Sequence, residues 1–388
     1  MSGTWIGLRT GIVGIALLGV GLDALTQLAP VPSRPATAQS SRSGVPEEAP
    51  PPGSILRSVG RWIPVNWSDL PGFTEDSTSN AWNAWISSCE RPPRAFVRHC
   101  GDVRRLSLGS DDERRAWMVS QLQPYRVESL QGNAEGLLTG YFEPILDASR
   151  QSSPEFSIPL YGPPPSLSGS APWLNRRQID TSAEAKLALQ GRELAWLSSP
   201  IDALILQIQG SGRLRLTSPE GSIRSIRLSY AASNNHPYRS VGRWLLDQGE
   251  IREASWGAIK AWALQNPNRV NEMLWSNPRV VFFREEAISG IDVTRGPKGA
   301  QGVELTPGRS IAVDRESIPY GTPVWMASPV PGQPLRRLVL AQDTGSAIVG
   351  AVRADYFTGW GDEAQELASR LKHGLRLWVL WPKGASPP

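Results

Sequence analysis

Leu338-Val339-Leu340-Ala341-Gln342-Asp343-Thr344-Gly345-Ser346-Ala347-Ile348-Val349-Gly350-Ala351-Val352-Arg353-Ala354-Asp355-Tyr356 reads as an apolar strand that runs into a carboxylate and a tight Asp-Thr-Gly-Ser turn. An acid between apolar segments is partly desolvated, and desolvation raises a carboxyl pKa so that the group stays protonated and can donate. Outward from this stretch, further short strands are expected at residues 279–283, 310–313, 323–326, 335–342 and 375–380, with one helix at 362–372. They are short and irregularly spaced, without strand-helix alternation, and so predict a small closed barrel rather than a parallel sheet. In a barrel, Asp314 and Asp355 are the carboxylates that can approach Asp343 and push its pKa further up. The competing reading has both of them capping turns by bonding backbone amides.

Upstream, Ser110 with Glu113 and Thr181 with Glu184 look like capping boxes opening helices over residues 110–123 and 181–197. Residues 136–142 are strand-like, and 145–175, dense in Pro, Ser and Gly, predict long loops. The short apolar runs at 201–209, 213–217 and 222–229 predict an antiparallel meander. Helical spacing follows at 240–247, 253–264 and 267–275, the last with Pro267 at its start. At the amino end, Arg9 precedes the apolar run 11–22, and Ala36-Thr37-Ala38 has the small-residue pattern of a cleavage site, so residues 1–38 are expected to be a signal peptide or an N-terminal anchor. Residues 39–60 read as a disordered linker. No cysteine precedes Cys89, so membrane attachment, if any, runs through the N-terminal segment rather than a lipidated cysteine. A Cys89–Cys100 bridge would add about 3 kcal/mol; two buried free thiols are the alternative.

The composition narrows the function classes. The 388 residues suggest two domains plus termini, and 37 Gly with 34 Pro, 40% apolar and 20% charged residues suit a globular, loop-rich, mainly β protein with a few helices. Forty basic against 36 acidic residues, with no long block of either sign, argue against nucleic acid. Three histidines and two cysteines offer no metal-ligand spacing, and no phosphate loop or dinucleotide fingerprint is present, so neither metal nor cofactor is expected.

Several separate stretches then carry a resemblance: Thr139-Gly140-Tyr141-Phe142-Glu143-Pro144, Leu206-Gln207-Ile208-Gln209-Gly210-Ser211-Gly212, Asn235-His236-Pro237-Tyr238, residues 303–310, Ile318-Pro319-Tyr320-Gly321-Thr322-Pro323, Ala341-Gln342-Asp343-Thr344-Gly345 and residues 352–362. In this order, over residues 61–382, the chain resembles the membrane-bound lytic transglycosylase A family of peptidoglycan-cleaving enzymes. The resemblance implies a double-psi β-barrel domain built from residues 61–142 and 286–385. Residues 143–285 would be an inserted β-rich substrate-binding domain, with a glycan groove between the two. It also implies that Asp343 is the catalytic acid; export to the periplasm or cell envelope is what the N-terminal segment predicts.

Ordinary glycoside hydrolysis needs two carboxylates; a lytic transglycosylase needs one. Asp343 would protonate the β-1,4 oxygen between N-acetylmuramic acid and N-acetylglucosamine. It would then take the proton of the muramoyl C6 hydroxyl, which closes a 1,6-anhydro ring. For the groove, Tyr141, Glu143, Gln207, Gln209, Ser211 and Tyr238 are nominated because amides and hydroxyls suit acetamido and hydroxyl groups. Thr344 and Gly345 beside the acid complete the set, with the loop indole Trp360 as a stacking platform. His236 either donates to substrate or holds its loop. Peptidoglycan strands are the expected partner and a monomer the expected state. The rivals are a true hydrolase on the same barrel with Asp314 or Asp355 as second carboxylate, an aspartic protease, and an inactive glycan-binding module.

Overall fold

The computed structural model describes residues 51–217, 221–288 and 290–386; the expected leader 1–38 and the first part of the linker lie outside them. From residue 51 onward the linker expectation is corrected. Ile55–Leu56 (β1) pairs antiparallel with Gly60–Pro64 (β2), and the Arg57 amide donates to the Gly60 carbonyl at 2.8 Å. The remaining strands are Leu122–Ser129 (β3), Gly136–Glu143 (β4), Ile145–Ala148 (β5), Ile158–Tyr161 (β6), Glu193–Leu197 (β7), Ser211–Thr217 (β8), Ile223–Ser233 (β9), Val281–Ala287 (β10), Ser310–Val313 (β11), Thr322–Ser328 (β12), Leu335–Asp343 (β13), Arg353–Trp360 (β14) and Lys372–Pro382 (β15).

Six of these strands form a ring. β15 pairs with β12, β12 with β13, β13 with β11, β11 with β14, β14 with β4, and β4 returns to β15. The β13–β11 and β14–β4 contacts are parallel and the others antiparallel, which gives the double-psi β-barrel. Closure removes sheet edges that would otherwise expose unpaired amides. β3, β2 and β1 extend the sheet outward from β15. The barrel interior is filled by buried Val324, Met326, Val339, Ala341, Ile311 and Val313, which the strand register places on one face of the wall. A helical cap between β2 and β3 packs on it through buried Trp82, Trp85 and Trp117, whose rings meet edge-on or tilted 5.0–5.8 Å apart. Among the described residues eight tryptophans are buried, so the indole excess is in good part core packing. Cys89 and Cys100 are disulfide-bonded inside this cap.

The strands from Ile145 to Ala287 make a four-stranded sheet, β10-β9-β8-β5, and the β6–β7 pair. Three sequence expectations are corrected here. Residues 145–175 are not all loop, since they hold β5 and β6. The helix expected at 181–197 is capped by Ser182 rather than Thr181 and stops at Leu189; Gly191, at φ 74°, turns the chain into β7. The run expected as the first meander strand is the helix Pro200–Gln209, with the Ser199 hydroxyl accepting from the Asp202 amide, Pro at its first turn and Gly210 at φ 81° closing it. Ile201, Ala203, Leu204, Ile205 and Leu206 are all buried. A helix buried on nearly every side shows the same continuous apolar run as a buried strand.

Candidate active site

β13 delivers Asp343 to the barrel rim. Its last residues before the acid, Leu338 to Gln342, are fully buried, so the carboxylate emerges from apolar surroundings. Burial pushes the Asp343 carboxyl up from 3.8 to about 6, opposed by hydrogen bonds to the charged form from the Thr344 amide, the Tyr141 phenol and the Ala300 amide, and reinforced by the Asp355 charge. Tyr141 Oη donates to Oδ2 at 2.9 Å and the Ala300 amide to Oδ1 at 2.9 Å. Burial, then Asp343 itself, raises the Tyr141 pKa well above 10, so the phenol remains a neutral donor. The Ala300 amide gets this close because residue 299 is glycine: a Cβ there would lie 2.5 Å from the Gln342 carbonyl and 3.2 Å from Asp343 Cβ.

The strand register places the second carboxylate. Ala312 of β11 is opposite Asp343 on one side and Asp355 on the other, which separates the two backbones by two strand spacings, about 10 Å. Asp355 faces Thr139 across the β14–β4 pair; the Thr139 hydroxyl donates to Oδ1 at 2.5 Å, and Arg353 donates to that hydroxyl at 2.8 Å. Burial raises the Asp355 pKa, against these two partners. Thr139 and Tyr141, two residues apart on one face of β4, therefore hold one carboxylate each.

Asp314 does not join them. Its carboxylate accepts from the Glu316 amide at 3.0 Å and the Gly350 amide at 2.8 Å, so it caps a turn, and the supporting role expected of it is corrected. Glu143 is corrected as well: it has no exposed surface and is gripped by Arg213 at 2.7 Å and Arg227 at 2.5 Å. The two arginines also bond the Val293 and Arg295 carbonyls, and the group latches β4 to β8, β9 and the 293–295 loop. Trp360 is a third correction, because the Arg213 guanidinium lies 4.1 Å from its ring centroid, over one face of the indole, and the residue does not line the groove at Asp343. His236 binds the Trp173 carbonyl at 2.7 Å and holds its loop.

A groove of about 580 Å³ opens on Asp343, with Tyr141, Gln207, Gln209, Ser211, Thr344 and Gly345 in its walls. It adjoins a chamber of about 130 Å³ lined by Tyr238, Gln207, Gly345 and Asp355. The Gln209 side chain accepts from the Phe142 amide at 3.0 Å, and Gln207 accepts from buried Arg176 at 2.7 Å. Sequence reading missed Arg279, Arg284, Lys298, Ala300 and Tyr230, which also line the larger groove. They come from β9, β10 and two loops, and no local pattern in the sequence marks them. The arrangement suits a neutral or cationic-rimmed cleft that places one protonated carboxyl against a polyhydroxylated ligand. Among the described residues no group of His, Cys, Asp and Glu is arranged to hold a metal.

Comparison with known proteins adds the following. Residues 137–284 match the MltA specific insert domain and residues 309–381 the 3D domain. The membrane-bound lytic murein transglycosylase A of Escherichia coli K12 is 32% identical over 312 residues, covering 78% of this chain and 76% of that protein. The crystal structure of MltA from Neisseria gonorrhoeae superimposes with a TM-score of 0.72 at 29% identity, over 87% of this chain and 97% of the other. The Escherichia coli MltA structure with bound chitohexaose gives a TM-score of 0.66 at 28% identity, over 83% and 94% of the two chains.

Proposed function

The chain belongs to the membrane-bound lytic murein transglycosylase A family, and from this we propose that it cleaves the glycan strands of peptidoglycan with Asp343 as both acid and base. It is a lytic murein transglycosylase, and it works at the cell envelope, as its membrane-bound relatives do. The observation that carries the assignment of Asp343 is its setting. A carboxyl raised to about 6 and aimed into a groove is half protonated near pH 6, where one group can give and regain a proton with little driving force wasted.

In the reaction, Asp343 donates its proton to the β-1,4 glycosidic oxygen as an oxocarbenium-like state forms at the muramoyl C1. Tyr141 and the Ala300 amide hold the carboxylate that results, one on each oxygen. That carboxylate takes the proton of the C6 hydroxyl, whose oxygen bonds to C1 and closes the 1,6-anhydro ring, so no water is consumed. Holding the hydroxyl next to C1 supplies effective molarities of about 10⁵ M or more. Asp355, bonded by Thr139 about 10 Å of backbone away, supports Asp343 by its charge rather than attacking as a second catalytic carboxylate. Gln207, Gln209, Ser211 and Tyr238 offer amides and hydroxyls to the acetamido and hydroxyl groups of the strand. Residues 61–142 and 286–385 serve as the catalytic domain and 143–285 as the substrate domain. The segment 1–38 directs export to the periplasm, as leader or anchor, and the enzyme acts as a monomer.

Digestion of purified sacculi followed by mass spectrometry of the muropeptides tests this. Products ending in 1,6-anhydromuramic acid are expected, and Asp343→Asn abolishes their release while sacculus binding persists. Reducing ends carrying an added water would establish a hydrolase instead, and full turnover by the variant would remove Asp343 from the mechanism.

A further inference from the structure

The residues on either side of the reaction centre are pinned to one short segment of the helical cap. Gln342, next to Asp343, is fully buried; its side-chain nitrogen donates to Ser88 Oγ at 2.8 Å and to the Ala84 carbonyl at 2.8 Å, and its oxygen accepts from Ser310 Oγ. Gln301, next to Ala300, accepts from Ser88 Oγ at 3.1 Å and donates to the carbonyls of Ser88 and Arg91 at 3.3 and 3.0 Å. The two glutamines are also joined through the backbone, Gln301 amide to Gln342 carbonyl at 3.0 Å. Ser88 Oγ thus uses its single proton on Gln301 and accepts with one lone pair from Gln342, with 2% of the residue exposed. One hydroxyl fixes both the strand end that carries the acid and the loop whose amide binds that acid. The segment bearing it ends the helix Ser79–Ser88, and the next residue, Cys89, is bonded to Cys100.

Resting on the reading of Asp343 as the acid and base, we propose that Ser88, Gln301 and Gln342 are positioning residues for the reaction, and that the Cys89–Cys100 bond is the clasp that keeps Ser88 in register beneath them. None of the three touches the substrate groove; they act by setting the separation between Asp343 and the Ala300 amide. A shift of this kind changes the reacting geometry and leaves the glycan-binding walls, which come from Gln207, Ser211 and Tyr238, in place. Its kinetic signature is a fall in kcat with KM retained. Because the Ala300 amide favours the ionised acid, lengthening that bond also moves the alkaline limb of the pH profile upward.

The test measures kcat, KM and the pH profile on soluble glycan strands for the wild type, Ser88→Ala, Ser88→Thr and the double variant Cys89→Ala/Cys100→Ala, each checked for native near-ultraviolet circular dichroism. Ser88→Ala and the double variant should lose about tenfold in kcat, in line with what small misplacements cost, with KM within twofold and the alkaline limb shifted up. Ser88→Thr, which restores the hydroxyl, should recover most of the rate. Should the cysteine variant fail to fold, the Ser88 pair alone decides. An unchanged kcat and pH profile in folded Ser88→Ala, or equal losses in kcat and binding, overturns the proposal. Asp343→Asn separates the two readings: if it is inactive while Ser88→Ala is normal, the clasp is wrong and the acid assignment stands, whereas an active Asp343→Asn removes the premise.

Discussion

Replacing Tyr141 by Phe removes one hydrogen bond and little else, because the ring still packs on Phe357, 5.3 Å between centroids. The phenol donates to Asp343 Oδ2 at 2.9 Å, and such a bond favours the carboxylate over the acid, so its loss raises the Asp343 pKa. Hydrogen bonds to charged groups contribute about 1.5–3 kcal/mol, and one pKa unit corresponds to about 1.4 kcal/mol. The group therefore moves from about 6 to about 7–8. Cleavage begins from the protonated acid, so kcat/KM of the wild type falls as pH rises through about 6. In Tyr141→Phe the same fall occurs one to two units later, about tenfold or more in proton concentration. The plateau below it is lower, because the carboxyl has lost one of its three hydrogen-bonding anchors. The assay is the initial rate of anhydromuropeptide release from pH 4 to 9 at limiting substrate. An alkaline midpoint that stays put, or moves down, would refute the reasoning that the phenol stabilises the ionised acid.

The same buried carboxyl makes Asp343→Asn a stability prediction. A folded pKa raised above the unfolded one gives stability that is complete below about 3.8 and lost as pH rises through about 6. Removing the charge should thus raise the unfolding free energy by about 1–3 kcal/mol at pH 8 and by almost nothing at pH 4, measured by denaturant titration at both. No difference between the two pH values would contradict the burial argument. Glu143→Ala leaves Arg213 and Arg227 buried beside an empty site, so a loss of about 3–5 kcal/mol is expected in denaturant unfolding; a loss below 1 kcal/mol, ordinary for an exposed pair, would show the latch is loose. Gly299→Ala puts a Cβ 2.5 Å from the Gln342 carbonyl. It should displace the Ala300 amide and cut kcat about tenfold or more, with the alkaline limb shifted up; wild-type kinetics would mean that the loop absorbs the methyl without moving.

The contrast between Asp343 and its neighbours shows how far local reading reaches. An apolar run ending in Asp-Thr-Gly-Ser is a local fact, and burial of the strand follows from it, which is why the raised carboxyl was legible at Asp343. Asp314 and Asp355 look alike in sequence, each a lone carboxylate at or near a strand-like stretch. What separates them is the register that sets Asp355 opposite Thr139 and sends Asp314 past the strand end to the Gly350 amide. Glu143 stands two residues from Tyr141, and strand alternation by itself puts the two on one side; what takes Glu143 out of the groove is the pair of arginines that claim it from 70 and 84 residues away. The helix Pro200–Gln209 was misread because a segment buried all round carries no periodicity.

Patterns within a few residues were thus determined by the sequence alone. They include the mainly β character, the helices opened by Ser110, Ser240 and the proline at 267, the acid at a strand end, and the absence of any cofactor motif. Their energies depend on neighbours three or four positions apart. Tertiary structure decided everything that depends on ring closure: which of three aspartates share a face, which tryptophans are core, which glutamines reach the cap, and where the groove opens. Those outcomes rest on contacts between residues hundreds of positions apart, such as Tyr141 with Asp343 and Ser88 with Gln342. The paired strands, by fixing register, and the helical cap packed on them bring such side chains within hydrogen-bonding distance.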